Sequence, residues 1–398
     1  MTLHPDLGYF DEGLDLLEPR LYAAAQKPFG RAESLPPPAF RSKIFADLED
    51  EKIWTRTWVC IGTKQQIPDT GDLLPFTLGN HGIHVQRMAD GGLVGRFNKA
   101  QHGGCRSIPL QCQTGMKTKC SFTSCGYSRD QAVIHATEMS EGSQLAGQYL
   151  GDRPERLFPV HVESWGPFIF ANVDRECAPL AKQFTGLNKN LSPYFASDLK
   201  QVAERRLEHG SNWKLVGRAF LEDLALPFTG EPAAKTAAKG VPSHAGRLST
   251  LDDVYDGRFE NLPPLAGIPK VAQRCAGLYW LFPNLLLALM PDHVLSVILQ
   301  PTATCLTLQR VILFTHESMM AKPAISDLAE LNALWDTALH GSAQSAEARQ
   351  DDIDSWGAKR PPKEDSAHGY AFQKFLVERI LTEHEYYWPA PLFAQPGR

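Results

Sequence analysis

The strongest constraint on the fold is a series of three apolar segments in the C-terminal half. They read LYWLFPNLLLALM at 278–290, VLSVILQPTA at 294–303 and TLQRVILFTHE at 307–317. Short apolar segments rich in branched side chains are typical of buried strands, and Pro283 with Asn284 divides the first one into two. The first segment is also too short to cross a bilayer as a helix. The series therefore predicts an antiparallel sheet.

The remaining segments are predicted to be strands in one part of the chain and helices in the others. Between 58 and about 175, short strand-like runs alternate with turn residues such as Asp-Gly-Gly, a pattern typical of hairpins. An amphipathic helix is predicted at 40–58, directly before this part. Further helices are predicted at 178–205, 211–228, about 325–340 and 366–384. The predicted fold class is α+β.

Three segments are predicted to make up the chain. Residues 1–39 form an N-terminal arm that ends in the proline-rich sequence SLPPPAF. Residues 40–175 form a small all-β domain with its lead-in helix. Residues 176–398 form a larger α+β domain, in which helices pack on one antiparallel sheet.

The composition excludes some classes of function. The 398 residues carry a formal charge of −5, which argues against nucleic acid as a partner because such proteins present a basic face. The first 20 residues contain early acidic residues and no continuous apolar run, so no secretory signal is predicted. We expect a cytoplasmic protein without a membrane partner. The eight cysteines should then be mostly reduced, and their clustering suggests metal binding.

The segment 98–130 holds most of the side chains that could bind a metal ion. Thiolate and imidazole groups are the usual ligands of tetrahedral zinc, and a zinc site could stabilise a small domain. The spacing does not form a doubled Cys-x-x-Cys, so reduced thiols in a packed pocket are an equal alternative. A disulfide ranks third because the cytoplasm is reducing. The possible zinc ligands are His102, Cys105, Cys112, Cys120 and Cys125.

The order of these segments resembles the catalytic α-subunit of the Rieske non-haem iron oxygenases. KIFADLEDEKIWTRTWVCIGTKQQIPDTGD at 43–72 is similar to the lead-in to that family's Rieske domain. NWKLVGRAFLED at 212–223 is similar to the helix that carries the mononuclear iron ligands. LFPNLLLALMPDHVLSVILQP at 281–301 is similar to the sheet behind that iron. The resemblance implies a Rieske-like β domain followed by a helix-grip, catalytic-type domain with an antiparallel sheet.

The resemblance also implies positions for the ligands of a Rieske [2Fe–2S] cluster. The family holds this cluster with a Cys-x-His loop and a Cys-x-x-His loop. In this chain the four positions fall on Ala100 and His102, and on Cys120 and Thr123. A methyl group cannot coordinate iron, and a threonine hydroxyl is a poor substitute for imidazole. We therefore expect no normal cluster, with His102 and Cys120 as remnants of the site.

A similar expectation applies to the mononuclear iron, which the family binds with two histidines and one carboxylate. The two histidine positions fall on Ala225 and Gly230, and the carboxylate on Asp352, beside Asp351. Glu222 matches the acidic residue that links this site to the Rieske histidine of a neighbouring subunit. We expect no iron here either. Three other histidines are interpreted as surface or packing residues: His209, His244 and His293.

Three functions are consistent with these observations. The first is a pseudoenzyme, a non-catalytic subunit that scaffolds or regulates an active Rieske oxygenase. It would assemble with an active α-subunit paralogue or with itself, in a trimeric or hexamer-type ring. The second is an active oxygenase, a hydroxylase or demethylase, with unusual metal ligation. The third is a small-molecule-binding protein that zinc stabilises, with an apolar cavity beneath the segment 282–290.

Overall fold

The structure is a computed structural model, and its described residues fall into two units. The first unit takes in the residues up to Leu48 and from Phe184 to Leu381, and the second takes in Glu49 to Gln183 with Thr382. The domain bounds given above remain predictions. The described residues are 8–79, 81–98, 133–140, 143–184, 187, 191–195, 199–224, 244–250, 265, 267–268, 270, 275–316, 325–355 and 361–382.

The first unit begins with two short strands and two short helices. These are β1 (Phe10–Asp11), β2 (Leu14–Asp15), α1 (Pro38–Arg41) and α2 (Lys43–Glu49). The buried Tyr22 hydroxyl donates a hydrogen bond to the carbonyl of Leu16, at 2.6 Å. The side-chain amide of Gln373 donates to the carbonyls of Ala25 and Glu33, at 2.9 and 3.0 Å. The two Gln373 bonds hold the N-terminal segment against the C-terminal part of the same unit.

The second unit is built on a six-stranded antiparallel sheet, as the hairpin pattern predicts. Its strands are β3 (Val59–Thr63), β4 (Leu73–Leu78), β5 (His81–Arg87), β6 (Leu93–Phe97), β7 (Pro159–Trp165) and β8 (Phe168–Asn172), in the order β3-β8-β7-β6-β5-β4. The turn between β5 and β6 contains Gly91 with a φ of +80°, a conformation that favours glycine. Two short helices accompany the sheet, α3 (Gln144–Tyr149) and α4 (Leu180–Gln183).

The larger sheet, in the first unit, is also six-stranded and antiparallel. Its strands are β9 (Leu199–His209), β10 (His244–Thr250), β11 (Cys275–Leu281), β12 (Leu285–Leu289), β13 (His293–Ala303) and β14 (Leu306–His316), in the order β10-β11-β12-β13-β14-β9. The three apolar segments of the sequence form β11 to β14, and Pro283 with Asn284 lies in the turn that splits the first one. The sheet prediction is therefore confirmed.

The helix prediction for 178–205 is wrong in its second half, where β9 is a strand. Helix-forming residue types such as Ala203, Glu204 and Arg205 dominate this segment. In the structure β9 pairs with β14 along its whole length, and exposed positions alternate with less exposed ones. Pairing at the edge of the sheet has overridden local helix propensity.

Three helices complete the first unit, and they position the site. They are α5 (Trp213–Glu222), α6 (Ile325–Ser355) and α7 (Ala367–Leu381). Asn212 caps α5, because its side-chain oxygen accepts from the Lys214 N–H while its side-chain amide donates to the carbonyls of Phe40 and Thr304. Its own N–H donates to Gln350 of α6. One residue thus joins the start of α5 to three distant segments.

The described part of the chain contains no helix that is both long enough and apolar enough to cross a membrane.

Candidate functional site

The clearest candidate site is the charged C-terminal end of α5. Arg218 and Glu222 lie four residues apart on one face of this helix, and the Arg218 Nε atom is 2.8 Å from Glu222 Oε2. The two terminal nitrogens of Arg218 each lie 2.8 Å from a different oxygen of Glu364, which precedes α7. This paired geometry is the strong form of an arginine–carboxylate contact. Arg218 therefore binds two largely buried carboxylates at once.

A second arginine extends the cluster to α6. Arg349 Nη1 lies 2.8 Å from Glu222 Oε2, and Arg349 Nη2 lies 2.7 Å from Asp223 Oδ2. The Ser345 hydroxyl donates to the same Asp223 oxygen, at 2.6 Å. We call Arg218, Glu222, Asp223, Arg349 and Glu364 the arginine–carboxylate network. It ties the end of α5 to α6 and to the segment before α7.

Burial and charge act in opposite directions on the pKa values of this network. Burial alone would raise the pKa of Glu222, but Arg218 and Arg349 outweigh it and hold the pKa below its ordinary value. Burial lowers the pKa of Arg218, and the two carboxylates outweigh that effect and raise it. Burial also raises the pKa of Glu364, against the opposing influence of Arg218. Glu222 is accordingly a carboxylate at neutral pH, and Arg218 is charged.

Two residues singled out from the sequence, Glu222 and Asp352, lie in different surroundings. Glu222, which the resemblance matches to the residue that links the iron site to a neighbouring subunit, accepts hydrogen bonds from two guanidinium groups. Asp352 and its neighbour Asp351 lie on the exposed surface of α6, and neither belongs to the network. The structure therefore places Glu222 within the network and Asp352 outside it.

The other predicted ligand positions lie outside the described residues. Among the residues that the structure does describe, no three His, Cys, Asp or Glu side chains come together to hold a metal ion. The positions outside are Ala100, His102, Cys105, Cys112, Cys120, Thr123, Cys125, Ala225 and Gly230.

His293 is the best defined of the three additional histidines. Its Nε2 atom accepts a hydrogen bond from the Trp335 indole at 2.9 Å, and its Nδ1 atom lies 2.9 Å from Asp292 Oδ1. An indole can only donate, so the imidazole carries its proton on Nδ1 and donates to Asp292. Both ring nitrogens are used in this buried contact, which is a packing role. Burial lowers the pKa of His209 at the end of β9, and His244 begins β10.

Sequence reasoning identified one member of the network and missed the rest. The spacing of Arg218 and Glu222 is a visible helical signal, because residues four apart are neighbours on a helix. Arg349 and Glu364 carry no comparable signal. They lie 127 residues from Glu222 and 146 residues from Arg218, respectively.

Comparisons with known sequences connect this fold to one family. Residues 196–358 match the family described as ring hydroxylating alpha subunit (catalytic domain). The glycine betaine monooxygenase oxygenase subunit of Pseudomonas aeruginosa strain PAO1 is 25% identical over 205 residues, which cover 51% of this chain and 46% of the relative. The biphenyl 2,3-dioxygenase subunit alpha of Rhodococcus jostii RHA1 is 27% identical over 284 residues, which cover 66% of this chain and 55% of the relative. The chain thus spans about half the length of the curated relatives it matches.

Solved structures show the same fold. A quaternary ammonium Rieske monooxygenase superimposes with a TM-score of 0.61 at 18% identity, over 88% of this chain and 96% of the other. Naphthalene 1,2-dioxygenase from Rhodococcus sp. superimposes with a TM-score of 0.62 at 15% identity, over 93% and 100%. At these identities the likeness establishes the fold alone, and it confirms the predicted α+β class with antiparallel sheets.

These matches correct one prediction. The prediction that the chain carries neither iron cofactor, with zinc possible in their place, is wrong, because its homologues are Rieske oxygenases that use a [2Fe–2S] cluster and mononuclear iron. The loops on which that prediction rested lie outside the described residues. No structural observation therefore supports a loss of the iron cofactors. Residues 196–358 are similar to the ring-hydroxylating α-subunit catalytic domain, and the chain is similar in sequence to Rieske oxygenase α-subunits.

Proposed function

We propose that this chain is an α-type subunit that contributes to the assembly of a Rieske oxygenase and does not itself turn over substrate. Its partner in this proposal is an active α-subunit paralogue. The observation that carries the proposal is the position of Glu222, which Arg218 and Arg349 bind from two sides. By the resemblance described above, this residue should link the iron site to a histidine of the neighbouring subunit.

The geometry of Glu222 explains why it is poorly suited to that link. Its Oε2 atom accepts from Arg218 and from Arg349, both at 2.8 Å, and its Oε1 atom accepts from Arg218 at 3.0 Å. A hydrogen bond to a charged group contributes about 1.5–3 kcal/mol, and breaking one in a buried site leaves an unpaired charge. Releasing Glu222 toward another subunit is therefore unfavourable.

The family supports a role in assembly. The matched relatives are named as subunits, either as an oxygenase subunit or as subunit alpha. A chain that keeps both folded units can occupy the place of an α-subunit without carrying out the reaction.

The test is co-expression with an intact α-subunit paralogue from the same genome. Native mass spectrometry measures the composition of the purified complex, and oxygen uptake with a reductase measures turnover. Glycine betaine, choline and biphenyl serve as trial substrates, and iron and acid-labile sulfide are quantified in every preparation. We expect a mixed complex of fixed ratio and no turnover by this chain alone. Substrate-dependent product formation by this chain with a reductase, or a failure to co-assemble, would overturn the proposal.

The second candidate function is an oxygenase in its own right. The observation that favours it is the extent of the structural likeness, which spans 96% of a quaternary ammonium Rieske monooxygenase. The same oxygen-uptake measurement separates the two functions, because only an oxygenase converts a substrate without the paralogue.

A further inference from the structure

The large apolar side chains that the described residues expose to solvent all lie near the N-terminus. Phe10 is 57% exposed, Phe29 is 50% exposed and Leu14 is 39% exposed. Single exposed apolar residues are common on protein surfaces and need no explanation. These three form two groups, however, one among acidic side chains and the other among basic ones.

Two of these side chains lie on the hairpin of β1 and β2, which we call the acidic hairpin. Phe10 pairs with Asp15, and Asp11 pairs with Leu14. Paired residues of a hairpin share a face, so each face presents one apolar side chain beside one carboxylate. The hairpin therefore suits a partner surface that offers apolar contact together with positive charge.

The acidic hairpin has a fixed shape. Its turn residues Glu12 and Gly13 have φ angles of +48° and +79°, as a tight two-residue hairpin turn requires. Arg41 of α1 lies 3.2 Å from Glu12 Oε2 and offsets that carboxylate. Asp11 and Asp15 supply the remaining negative charge. A preformed shape lowers the entropic cost of binding a partner.

The third exposed side chain, Phe29, lies among basic residues beside α7. Its ring centroid is 5.5 Å from that of Tyr370, and the Lys374 ammonium lies 5.6 Å from the same Tyr370 centroid. Aromatic and basic side chains in this arrangement are frequent anchors of protein interfaces. We call this surface the basic aromatic patch, and its basic side chains are Lys27, Arg31, Lys363 and Lys374.

Acidic residues offset only part of the charge of the basic aromatic patch. Glu33 is 5% exposed and lies 3.7 Å from the Lys27 ammonium. Glu378 follows Lys374 by one turn of α7. Asp365 lies beside the arginine–carboxylate network. The patch thus keeps an excess of positive charge, although the formal charge of the chain is −5.

Two backbone hydrogen bonds hold the segment that carries Phe29 against the residues before α7. The Ser34 N–H donates to the carbonyl of Pro362 at 2.8 Å, and the Glu364 N–H donates to the carbonyl of Ala32 at 2.9 Å. The basic aromatic patch is therefore preformed, as the acidic hairpin is.

We propose that the acidic hairpin of one copy of this chain docks on the basic aromatic patch of a second copy. Phe10 packs against the exposed ring of Phe29, and Asp15 lies toward Arg31 and Lys374. A second copy is the occupant because the chain itself carries both complementary surfaces, which match in apolar character and oppose each other in charge.

The contact joins two different surfaces, so it is heterologous, and each copy in a pair has one surface left for a further copy. It goes beyond the proposed function, because it joins copies of this chain and not the chain to a paralogue. It also stands whether or not the chain turns over substrate.

Sedimentation velocity of the full chain over a range of concentrations measures this self-association. We expect the mean mass to rise with concentration in about 0.1 M NaCl. It should rise less in about 1 M NaCl, because the Debye length falls from about 10 Å to about 3 Å. A monomer at every concentration, or association that salt does not weaken, would overturn the proposal.

Two variants separate the surfaces, and their mixture tests whether the surfaces meet. Phe10→Ser with Leu14→Ser alters the acidic hairpin, and Phe29→Ser alters the basic aromatic patch. Each variant alone should self-associate about tenfold or more weakly than wild type. An equimolar mixture should form a 1:1 complex that does not grow further, because it retains one intact hairpin and one intact patch. A mixture that associates no better than the separate variants contradicts the inference.

Charge reversal supplies the residue-level control. Arg31→Glu should weaken self-association about threefold or more. Arg175→Glu is the same change at an exposed residue of the second unit, and it should leave self-association unchanged. Equal effects of the two would show that net charge alone is responsible, against the proposal. If the hairpin variant does not fold, the comparison of Arg31→Glu with Arg175→Glu decides.

Discussion

Arg218 binds Glu364 through both of its terminal nitrogens, each 2.8 Å from a different carboxylate oxygen, although 146 residues separate the two in sequence. The Glu364 side chain is 2% exposed, and that of Arg218 is 20% exposed. A charge pair in such surroundings is costly to break, because the remaining partner stays buried without compensation. This contact is therefore the place where the end of α5 is most sensitive to substitution.

We expect Glu364→Gln to lower the free energy of unfolding by about 2–3 kcal/mol, since Arg218 keeps Glu222 but loses its paired partner. Denaturant unfolding followed by circular dichroism measures the change. Asp365→Asn is the matched control, because that carboxylate lies 3.6 Å from the same arginine but is 88% exposed. It should remain close to wild type. Equal effects of the two variants would contradict the interpretation.

The close packing of α5 on the sheet gives a second prediction. A β-carbon at Gly217 would lie 2.5 Å from atoms of the Trp280 ring, which is closer than packed atoms allow. We expect Gly217→Ala to destabilise the chain by about 1–3 kcal/mol, although alanine has the better helix propensity. Thermal unfolding provides the measurement.

Gly341→Ala in α6 is the control for the same chemical change. No atom lies within 4 Å of a β-carbon placed there. This variant should gain about 0.5–1 kcal/mol from helix propensity alone. A loss of stability at Gly341, or a gain at Gly217, would show that contact with Trp280 does not decide the outcome.

The hydrogen bond between Trp335 and His293 gives a third prediction. Trp335→Phe removes the indole that donates to the buried Nε2 atom of His293, and we expect a cost of about 1–3 kcal/mol. Combining it with His293→Phe should cost less than the sum of the two single changes, because the second change removes the unpaired acceptor. Strict additivity in this double-mutant cycle would mean that the contact contributes little.

A fourth prediction concerns pH. His84 on β5 is fully buried, and its Nδ1 atom lies 2.9 Å from Asn98 Oδ1. Burial lowers its pKa from 6.5 to about 4, against the weaker opposing influence of the hydrogen bond to Asn98. Between these values the unfolded chain binds more protons than the folded chain, so the free energy of unfolding falls as the pH decreases. The contribution of neutral His84 to the free energy of unfolding is complete above pH 6.5. It is lost progressively as the pH falls toward 4.

Replacement of this histidine tests the effect directly. The unfolding free energy of the wild-type chain should fall by about 2 kcal/mol more than that of His84→Gln between pH 7 and pH 5. Urea unfolding at pH 7 and pH 5 measures the change in unfolding free energy for each of the two proteins. Identical pH dependence in the two proteins would show that His84 does not contribute.

The sequence predicts the sheets better than it predicts the site, and the reason is the range of the interactions. Leu285 to Leu289 are apolar throughout and the strands that follow are mostly apolar, so burial in a sheet is visible in the residues themselves. The strand at Leu199–His209 was missed because its neighbours on β14 decide its conformation. Arg349 and Glu364 were missed because their partners on α5 become neighbours only when the chain has folded.

The hydrogen bonds that cap α5 restrict the order in which the chain can fold during translation. Asn212 donates its N–H to Gln350, which is synthesised 138 residues later. A nascent chain that has just completed this helix therefore lacks one of the bonds that fix its first turn. Glu364 emerges later still. Until Glu364 has been synthesised, Glu222 is the only carboxylate of the arginine–carboxylate network on the same helix to which Arg218 can bind, and the salt bridge to Glu364 closes only afterwards.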